Sequence, residues 1–392
     1  MEERYNIKSM SPLVAFIIMA LILGYPRFYG TEFPLALLIV PFYLVGFGRF
    51  FLARGLFSII FLLLFGLWVL GGVLAFLNGQ GEYRDIFFHV VVSVKILLNI
   101  FFGYVVYQIV RARPSVLAMW LIFQSAIIII SMFSSDFYSL MLGFISPRSA
   151  EVFQHIYGLR ALGFGIFHVD GALTIVLALF FSVLLSSTKF VNGLLLLLLP
   201  LSMAVARSAI VAYAIMSVFR KGLVFKVFLV FALLVMVALS FYVESGPLFE
   251  ATEIFRNLFQ YGELESQSVN VLLEMYVLPN TISDWLFGNG QYFSGATETL
   301  EFYKGTDVGY LRILYFSGVG SVFIFILLNT FFLIPLVFSR SYPRFMKVRM
   351  FAISLIVIFL IINLKGLQSM PIFAMALYMY SLDLRRNQGR TG

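Results

Sequence analysis

The chain has 392 residues, of which 61% are hydrophobic and 12% charged, with a formal net charge of +8 at pH 7 and no cysteine. Its apolar residues form runs that approach or exceed the length of a bilayer crossing, which excludes a soluble globular protein and predicts a polytopic membrane protein. The missing cysteines exclude disulfides and thiolate metal sites, and the positive charge does not indicate nucleic acid, because Lys and Arg accumulate in cytoplasmic loops.

Apolar runs without period-2 alternation predict an all-α bundle of about twelve spans in one integral membrane domain, residues 1–392. We expect spans near 10–25, 33–48, 55–77, 86–110, 115–133, 162–186, 190–206, 208–219, 222–243, 308–338, 350–364 and 369–382. The connections that share one side are all basic, from "GRFFLAR" to the tail "DLRRNQGR". By the positive-inside rule this side is cytoplasmic and holds both termini, so 134–161 and 244–307 are external loops.

The stretch "YGLRALGFGIFHVDGALTI" (157–175) contains the first candidate functional residues. Arg160 lies at the outer mouth of the sixth predicted span, and His168 and Asp170 follow inside that helix. An ionisable residue at membrane depth costs about 2.5–3.5 kcal/mol on insertion scales, so it normally faces a partner or a water-filled cavity. Residues two apart cannot face one direction on a helix, so His168 and Asp170 point to different neighbours. The alternative for Asp170 is a structural ion pair with an arginine.

Two short apolar runs, 190–206 and 208–219, lie between basic turns and predict a helical hairpin with Arg207 at its apex. At about 1.5 Å per residue, each arm is shorter than the roughly 30 Å hydrocarbon core. We therefore expect Arg207 to lie below the outer surface of the membrane. The alternative is an arginine that extends to lipid phosphate, as basic residues near span ends often do.

The loop 244–307 is the largest polar segment, with ten Asp and Glu residues against Arg256 and Lys304. The periodicity of "SQSVNVLLEMYVL" (266–278) predicts a short amphipathic helix at the membrane surface. The following "PNTISDWLFGNG" (279–290) is rich in turn-forming residues.

The stretch "GTDVGYLRILYFSGVG" (305–320) places Asp307 and Arg312 at the start of the tenth predicted span. Asp307 is either the N-cap of this helix or a functional carboxylate. For Arg312 the structural alternative is an ion pair with an external carboxylate. Lys365 lies in the last external turn.

The three arginines and Lys365 all project toward one level of the bilayer, and if they converge they form a cationic pocket. The ligand that matches several guanidiniums is a phosphate or pyrophosphate, which accepts bidentate hydrogen bonds. No Walker A loop, dinucleotide fingerprint or metal-ligand spacing occurs, and the three histidines are dispersed. We therefore expect no cofactor and no metal, and a substrate that carries its own leaving group, as a lipid-linked diphosphate does.

Several of these motifs, in this order, resemble O-antigen polymerases of the Wzy type. Arg160 through Gly171 is similar to the family's R-x10-G pattern, and "ARSAIVAY" to its arginine at the short central hairpin. "DWLFGNG" (284–290) is similar to its Phe-Gly-x-Gly turn, "DVGYLRILYFSGVGSVF" (307–323) to its Asp-x-Gly-Tyr-x-Arg helix, and "INLKG" (362–366) to its last external turn. The likeness covers about 157–382, whereas the first 150 residues match only as hydrophobic spans.

The resemblance implies a metal-independent glycosyltransferase of the bacterial inner membrane, with its active site facing the periplasm. The enzyme moves a growing glycan from undecaprenyl pyrophosphate to the non-reducing end of a lipid-linked repeat unit, for lipopolysaccharide or another surface polysaccharide. Arg160, Arg207, Arg312 and Lys365 would bind the pyrophosphate, and the candidate catalytic bases are Asp307, Asp170 and His168. The partners are the lipid-linked oligosaccharide and membrane lipid, with a chain-length regulator and a flippase as further candidates.

Two other functions remain open at the level of sequence. An O-antigen ligase uses the same donor, but ligases carry a His at the start of the corresponding helix, where this chain has Asp307 and Val308. A transporter or flippase of lipid-linked sugars also places positive residues in a membrane cavity. Against that function, the two halves of the chain show no evident repeat, and a long acidic external loop is unusual for alternating access.

Overall fold

The computed structural model describes residues 10–185, 189–218, 223–242, 249, 252–263, 267–294, 301–339, 343–369 and 371–388. Within them the secondary structure is helical, apart from isolated β-bridges between Arg27 and Pro34 and between Phe293 and Phe302. Seven helical segments of this described part are long and apolar enough to cross a membrane. The all-helical class is confirmed, and the chain has the elements of a multi-pass membrane protein.

The helices are numbered here in chain order. They are α1 (Pro12–Gly24), α2 (Val40–Leu52), α3 (Leu56–Asn78), α4 (Tyr83–Ala112), α5 (Ser115–Phe133), α6 (Ser135–Leu142), α7 (Pro147–Gln154), α8 (His168–Leu185), α9 (Lys189–Val205), α10 (Ala209–Val218), α11 (Leu223–Ser240), α12 (Glu253–Tyr261), α13 (Gln267–Glu274), α14 (Ile282–Phe287), α15 (Gly309–Thr330), α16 (Ile334–Val337), α17 (Pro343–Ile362) and α18 (Pro371–Gln388). The described part of the chain also has two 3₁₀ helices, Leu35–Ile39 and Tyr303–Gly305.

The chain forms two compact units. The first comprises Met1–Tyr43 and Val105–Glu265, and the second Leu44–Tyr104 and Ser266–Gly392. Helices α2 and α4 therefore contribute residues to both units.

In the first unit, α5 packs against α1, α6, α8 and α9. The predicted loop 134–161 contains helices α6 and α7, each started by a serine. The Ser134 hydroxyl accepts from the N–H of Phe137, and Ser146 precedes Pro147 and accepts from Ser149. Serine caps and a proline at the first helical position are favourable helix starts, so local sequence explains both helices.

The predicted hairpin corresponds to α9 and α10, which both pack against α8. Helix α9 has 17 residues and α10 has 10, so both arms are short. Of the basic turns that flank the hairpin, residues 186–188 and 219–222 lie outside the described residues, as do the terminal segments 1–9 and 389–392 and residues 340–342 of the basic 339–349 connection.

In the second unit, α15 packs against α3, α14 and α18, and α17 packs against α16 and α18. Aromatic side chains fill this core, including the fully buried Trp68, Phe61 and Phe325. The helix expected within 266–278 is α13. Of the large predicted loop, residues 244–248, 250–251, 264–266 and 295–300 lie outside the described part of the chain.

Candidate functional site

A non-helical segment, residues 161–167, is buried among helices of the first unit. The Ser131 hydroxyl accepts from the N–H of Leu162 at 3.0 Å and donates to its carbonyl at 2.8 Å. The amide of Gln124 bonds both backbone groups of Phe164, at 2.9 and 3.3 Å. Backbone polar groups in an apolar environment need such partners, so these two fully buried side chains of α5 make the segment possible.

The glycine of the R-x10-G stretch has a packing role at this segment. A Cβ on Gly171 would lie 2.5 Å from Ile166 Cγ2, because the first turn of α8 lies directly against the segment. Gly165 has φ +68 and packs against the backbone of Pro26. A side chain at position 165 would overlap with that backbone and would be strained at this φ. Arg160 and Gly171 thus lie on either side of one buried non-helical segment, residues 161–167.

The backbone segments beside two of the predicted arginines, Arg160 and Arg207, are hydrogen-bonded to each other. The N–H of Ala161 donates to the carbonyl of Ala204 at 2.9 Å, which joins the Arg160 segment to the end of α9, just before the Arg207 turn. Arg160 is half-buried and lies near Tyr138. Burial raises the pKa of Tyr138 to about 12, and the positive charge of Arg160 acts in the opposite direction.

Arg207 binds a carboxylate of its own unit. Its Nη1 donates to Oε2 of Glu253 at 2.7 Å, and each side chain is 21% exposed. Glu253 is the first residue of α12. This helix is anchored by the buried Arg256, whose guanidinium carbon lies 3.4 Å from the ring centroid of Phe249. Arg207 thus has a carboxylate partner within the first unit.

The structure corrects the expected position of His168 and Asp170. Helix α8 begins at His168 rather than near residue 162, because 161–167 forms the buried segment, so both residues lie in the first helical turn and are exposed. A carboxylate at this position is favoured by the helix dipole. His168 has φ +55, which marks the turn between the segment and α8.

In the second unit, the N-cap interpretation of Asp307 is wrong. Helix α15 begins at Gly309, its N-cap residue is Val308, and no side chain caps it. The Asp307 carboxylate instead forms an ion pair with Nη2 of Arg312.

Arg312 is held on several sides. Its side chain is 8% exposed, whereas that of Asp307 is 48% exposed. The guanidinium carbon lies 3.2 Å from the ring centroid of Phe302, and Nε donates to the carbonyl of Thr306 at 3.4 Å. Asp307 is thus the accessible member of the pair, and an ionised carboxylate accepts hydrogen bonds from hydroxyl groups.

The Lys365 turn meets the beginning of α15. A Cβ on Gly309 would lie 2.7 Å from the carbonyl oxygen of Gly366, and the N–H of Tyr310 donates to the carbonyl of Asn363 at 3.3 Å. Lys365 is half-buried. The turn that contains Lys365 therefore contacts the N-terminal end of α15, the helix that carries Arg312.

Helix α15 is interrupted at 317–318, where Ser317 has φ −138 and Gly318 has φ +78. The stretch 279–290, expected to be turn-forming, contains helix α14, and the turn that follows this helix lies at the interruption. The N–H groups of Asn289 and Gly290 donate to the carbonyls of Tyr315 and Phe316 at 2.7 and 3.0 Å. The Phe-Gly-Asn-Gly turn thus satisfies carbonyls that the broken helix leaves open.

Three polar residues, Gln124, Lys95 and Asp85, were not among those predicted from the sequence. Gln124 lies nine residues before the end of α5, about 13 Å along the helix axis, and Lys95 lies inside the apolar run of α4. Their position inside spans was a usable signal, since polar groups at membrane depth are costly. Asp85, by contrast, looks like an ordinary carboxylate at a helix start, and its buried contacts appear only in three dimensions.

Comparison with protein-family models, curated proteins and solved structures finds no match to this chain. Among the described residues, no group of three His, Asp or Glu side chains is placed to hold a metal ion.

Proposed function

We propose that this chain is a surface-polysaccharide polymerase of the bacterial inner membrane, related to the Wzy-type O-antigen polymerases. In this proposal it has about twelve spans, cytoplasmic termini and a site facing the periplasm. It transfers a glycan from undecaprenyl pyrophosphate to the non-reducing end of a lipid-linked repeat unit.

The observation that carries the proposal is the pairing of Arg207 with Glu253 and of Arg312 with Asp307. Each guanidinium holds a carboxylate, and each lies near non-helical backbone beside apolar helices. Irregular backbone at membrane depth occurs where it is enclosed by protein or lines a cavity. Phosphate oxygens form the same charge-assisted hydrogen bonds with arginine as carboxylates do, so a lipid-linked diphosphate suits both positions.

In the proposed reaction, a hydroxyl oxygen of the acceptor sugar attacks the anomeric carbon of the donor glycan. The bond from that carbon to the pyrophosphate oxygen breaks, and undecaprenyl pyrophosphate leaves with the bonding electron pair. Arg160, Arg207, Arg312 and Lys365 are the candidates that stabilise the developing negative charge. The hydroxyl proton passes to a base, for which Asp307, Asp170 and His168 are the candidates.

Asp307 is the base candidate with the most direct structural support. It lies beside Arg312 and is about half exposed, so an acceptor hydroxyl can reach its carboxylate. His168 and Asp170 are likewise exposed, at the start of α8.

A transporter or flippase of lipid-linked sugars is the second candidate. The interrupted helix α15 favours it, because transporters commonly bind substrate at discontinuous helices. Both functions use the same ligand chemistry, so they differ in whether a glycosidic bond is formed.

The test is polymer formation by the purified protein in nanodiscs, given only its lipid-linked repeat unit, with EDTA and no nucleotide. We expect a ladder of extended lipid-linked glycans for the wild type. Arg160→Ala, Arg207→Ala and Arg312→Ala should each lower kcat by about 10²–10³-fold, since each removes a donor to the developing charge.

Arg148→Ala serves as the matched control, because Arg148 lies outside the proposed site on helix α7. It should retain wild-type polymerisation. A protein that leaves the unit unextended but moves it across vesicle membranes would refute the polymerase and support the transporter.

A further inference from the structure

Asp85 is a buried carboxylate that ties together two distant parts of the second unit. It lies in the first turn of α4 and is 1% exposed. Its Oδ1 accepts from the N–H groups of Tyr292 and Phe293 at 2.7 and 3.0 Å, and its Oδ2 from that of Glu82 at 2.8 Å. A carboxylate is buried at low cost only when it is hydrogen-bonded in this way. The neighbouring Arg84 donates to the carbonyl of Ser294 at 2.5 Å and strengthens the same connection.

The segment that Asp85 holds forms part of the surroundings of Arg312. Backbone hydrogen bonds of 2.9 and 3.0 Å join residues 292–294 to residues 301–303. The ring of Phe302, in the second segment, stacks on Phe293 with centroids 5.4 Å apart. The same Phe302 ring contacts the guanidinium of Arg312, 3.2 Å from its centroid.

A second set of contacts links the held segment to α15 itself. The ring of Tyr292 stacks on Phe316 with centroids 4.2 Å apart, and its hydroxyl lies 3.2 Å from Nδ1 of His89. His89 stacks in turn on Trp68 and on Phe316, at 4.4 and 5.0 Å. The helix that carries Arg312 is therefore packed against the residues that Asp85 fixes.

From these contacts we propose that Asp85 is a positioning residue for Arg312. Its carboxylate fixes residues 292–294, these hold residues 301–303, and Phe302 in that segment orients the guanidinium. Asp85 itself touches no substrate. The inference rests on the proposed function for the chemistry of Arg312, whereas the mechanical connection can be tested without activity.

The first test is hydrogen–deuterium exchange of the full-length protein carrying Asp85→Asn. The amide replaces one acceptor oxygen with a donor, which then faces backbone N–H groups. We expect the amides of residues 292–294 and 301–303 to exchange about tenfold faster, since each loses a hydrogen bond or its support. Peptides of the first unit should be unchanged. Wild-type exchange in residues 301–303 would overturn the proposal.

The second test is the kinetics of polymerisation with the lipid-linked repeat unit. Asp85→Asn should lower kcat by about 10–100-fold with KM unchanged, because a misplaced guanidinium weakens stabilisation of the transition state. Asp85→Glu keeps the charge and should recover part of this loss. A wild-type kcat for Asp85→Asn would also overturn the proposal.

The matched control is Asp136→Asn, which makes the same change in the first turn of α6, where the side chain is exposed. It should alter neither measurement. If Asp85→Asn does not purify as a folded protein, Asp85→Glu is measured instead. Its longer side chain should then change the exchange of residues 301–303 and kcat in the same direction by a smaller factor, and no change in either would overturn the proposal. A wild-type protein that forms no polymer would refute the proposed function, and the exchange experiment would still decide the role of Asp85.

Discussion

The two arginine pairs differ in which partner is accessible. In the Arg207 pair both side chains are one-fifth exposed, and Glu253 occupies Nη1 of the guanidinium. In the Arg312 pair the arginine is buried and Asp307 is half exposed. A phosphate ligand of the proposed kind at Arg207 would compete with the Glu253 carboxylate, whereas one that approaches Arg312 would meet Asp307 first.

This competition predicts that Glu253→Gln tightens binding of inorganic pyrophosphate, measured by isothermal titration calorimetry in detergent. The amide keeps the shape of the side chain and removes the charge that competes for Arg207. An ion pair at this exposure contributes about 1 kcal/mol, so we expect roughly fivefold tighter binding.

Glu263→Gln is the control, because Glu263 is an exposed acid just beyond the same helix. Unchanged or weaker binding by Glu253→Gln would show that Glu253 does not occupy the anion position.

At the scale of elements, the second unit depends on a close fit between a turn and an interrupted helix. Gly288 has φ +71, and a Cβ there would lie 2.5 Å from the carbonyl oxygen of Phe316. Gly318 has φ +78 and packs against the backbone of Leu286. Packing thus explains Gly288 of the Phe-Gly-Asn-Gly turn and Gly318 of α15.

We therefore expect Gly288→Ala to lower the free energy of unfolding by about 2–5 kcal/mol. Backbone strain accounts for about 1–2 kcal/mol of this and overlap with the α15 backbone for the remainder. The measurement is reversible unfolding in detergent.

Gly305→Ala separates the two causes, since Gly305 has φ +67 but nothing within 4 Å of the added Cβ. This variant should lower the free energy of unfolding only by the contribution of backbone strain. An equal decrease in the free energy of unfolding for the two variants would mean that a Cβ at position 288 does not overlap with the backbone of α15.

At the scale of the whole molecule, the proposed topology assigns every loop to one side of the membrane. The chain has no cysteine, so single cysteines can report sidedness without a background signal. Ala53 and Asn387 lie in segments assigned to the cytoplasm, and Glu151 and Ser283 in segments assigned to the periplasm. All four are exposed.

We predict that a membrane-impermeant maleimide labels Glu151→Cys and Ser283→Cys in intact spheroplasts. Ala53→Cys and Asn387→Cys should be labelled only after permeabilisation. Labelling of Ser283→Cys and Asn387→Cys from the same side would require an even number of crossings between them. It would therefore exclude the three crossings that the proposed twelve-span order places there.

Much of the fold could be predicted from composition and periodicity. Runs of apolar residues indicate helices because, in a bilayer, a single segment can satisfy its backbone hydrogen bonds only as a helix. The helical hairpin around Arg207 was predicted from the short length of its two apolar runs. The candidate site could be predicted less well. The start of α8 was misplaced because Gly163, Gly165 and Ile166 look like part of an apolar span. The contacts of Gln124 and Ser131 on α5, which make a non-helical path possible there, are visible only in three dimensions.

The sequence by itself determined the all-helical class of this protein and the approximate positions of its apolar helices, since these follow from local composition. Tertiary structure alone decided the partners: Glu253 lies 46 residues from Arg207, and Tyr292 lies 207 residues from Asp85. From the sequence, Asp307 was either a cap or a functional carboxylate, and the helix start at Gly309 excludes the cap. Contacts between residues so far apart depend on how helices pack, which no local pattern encodes.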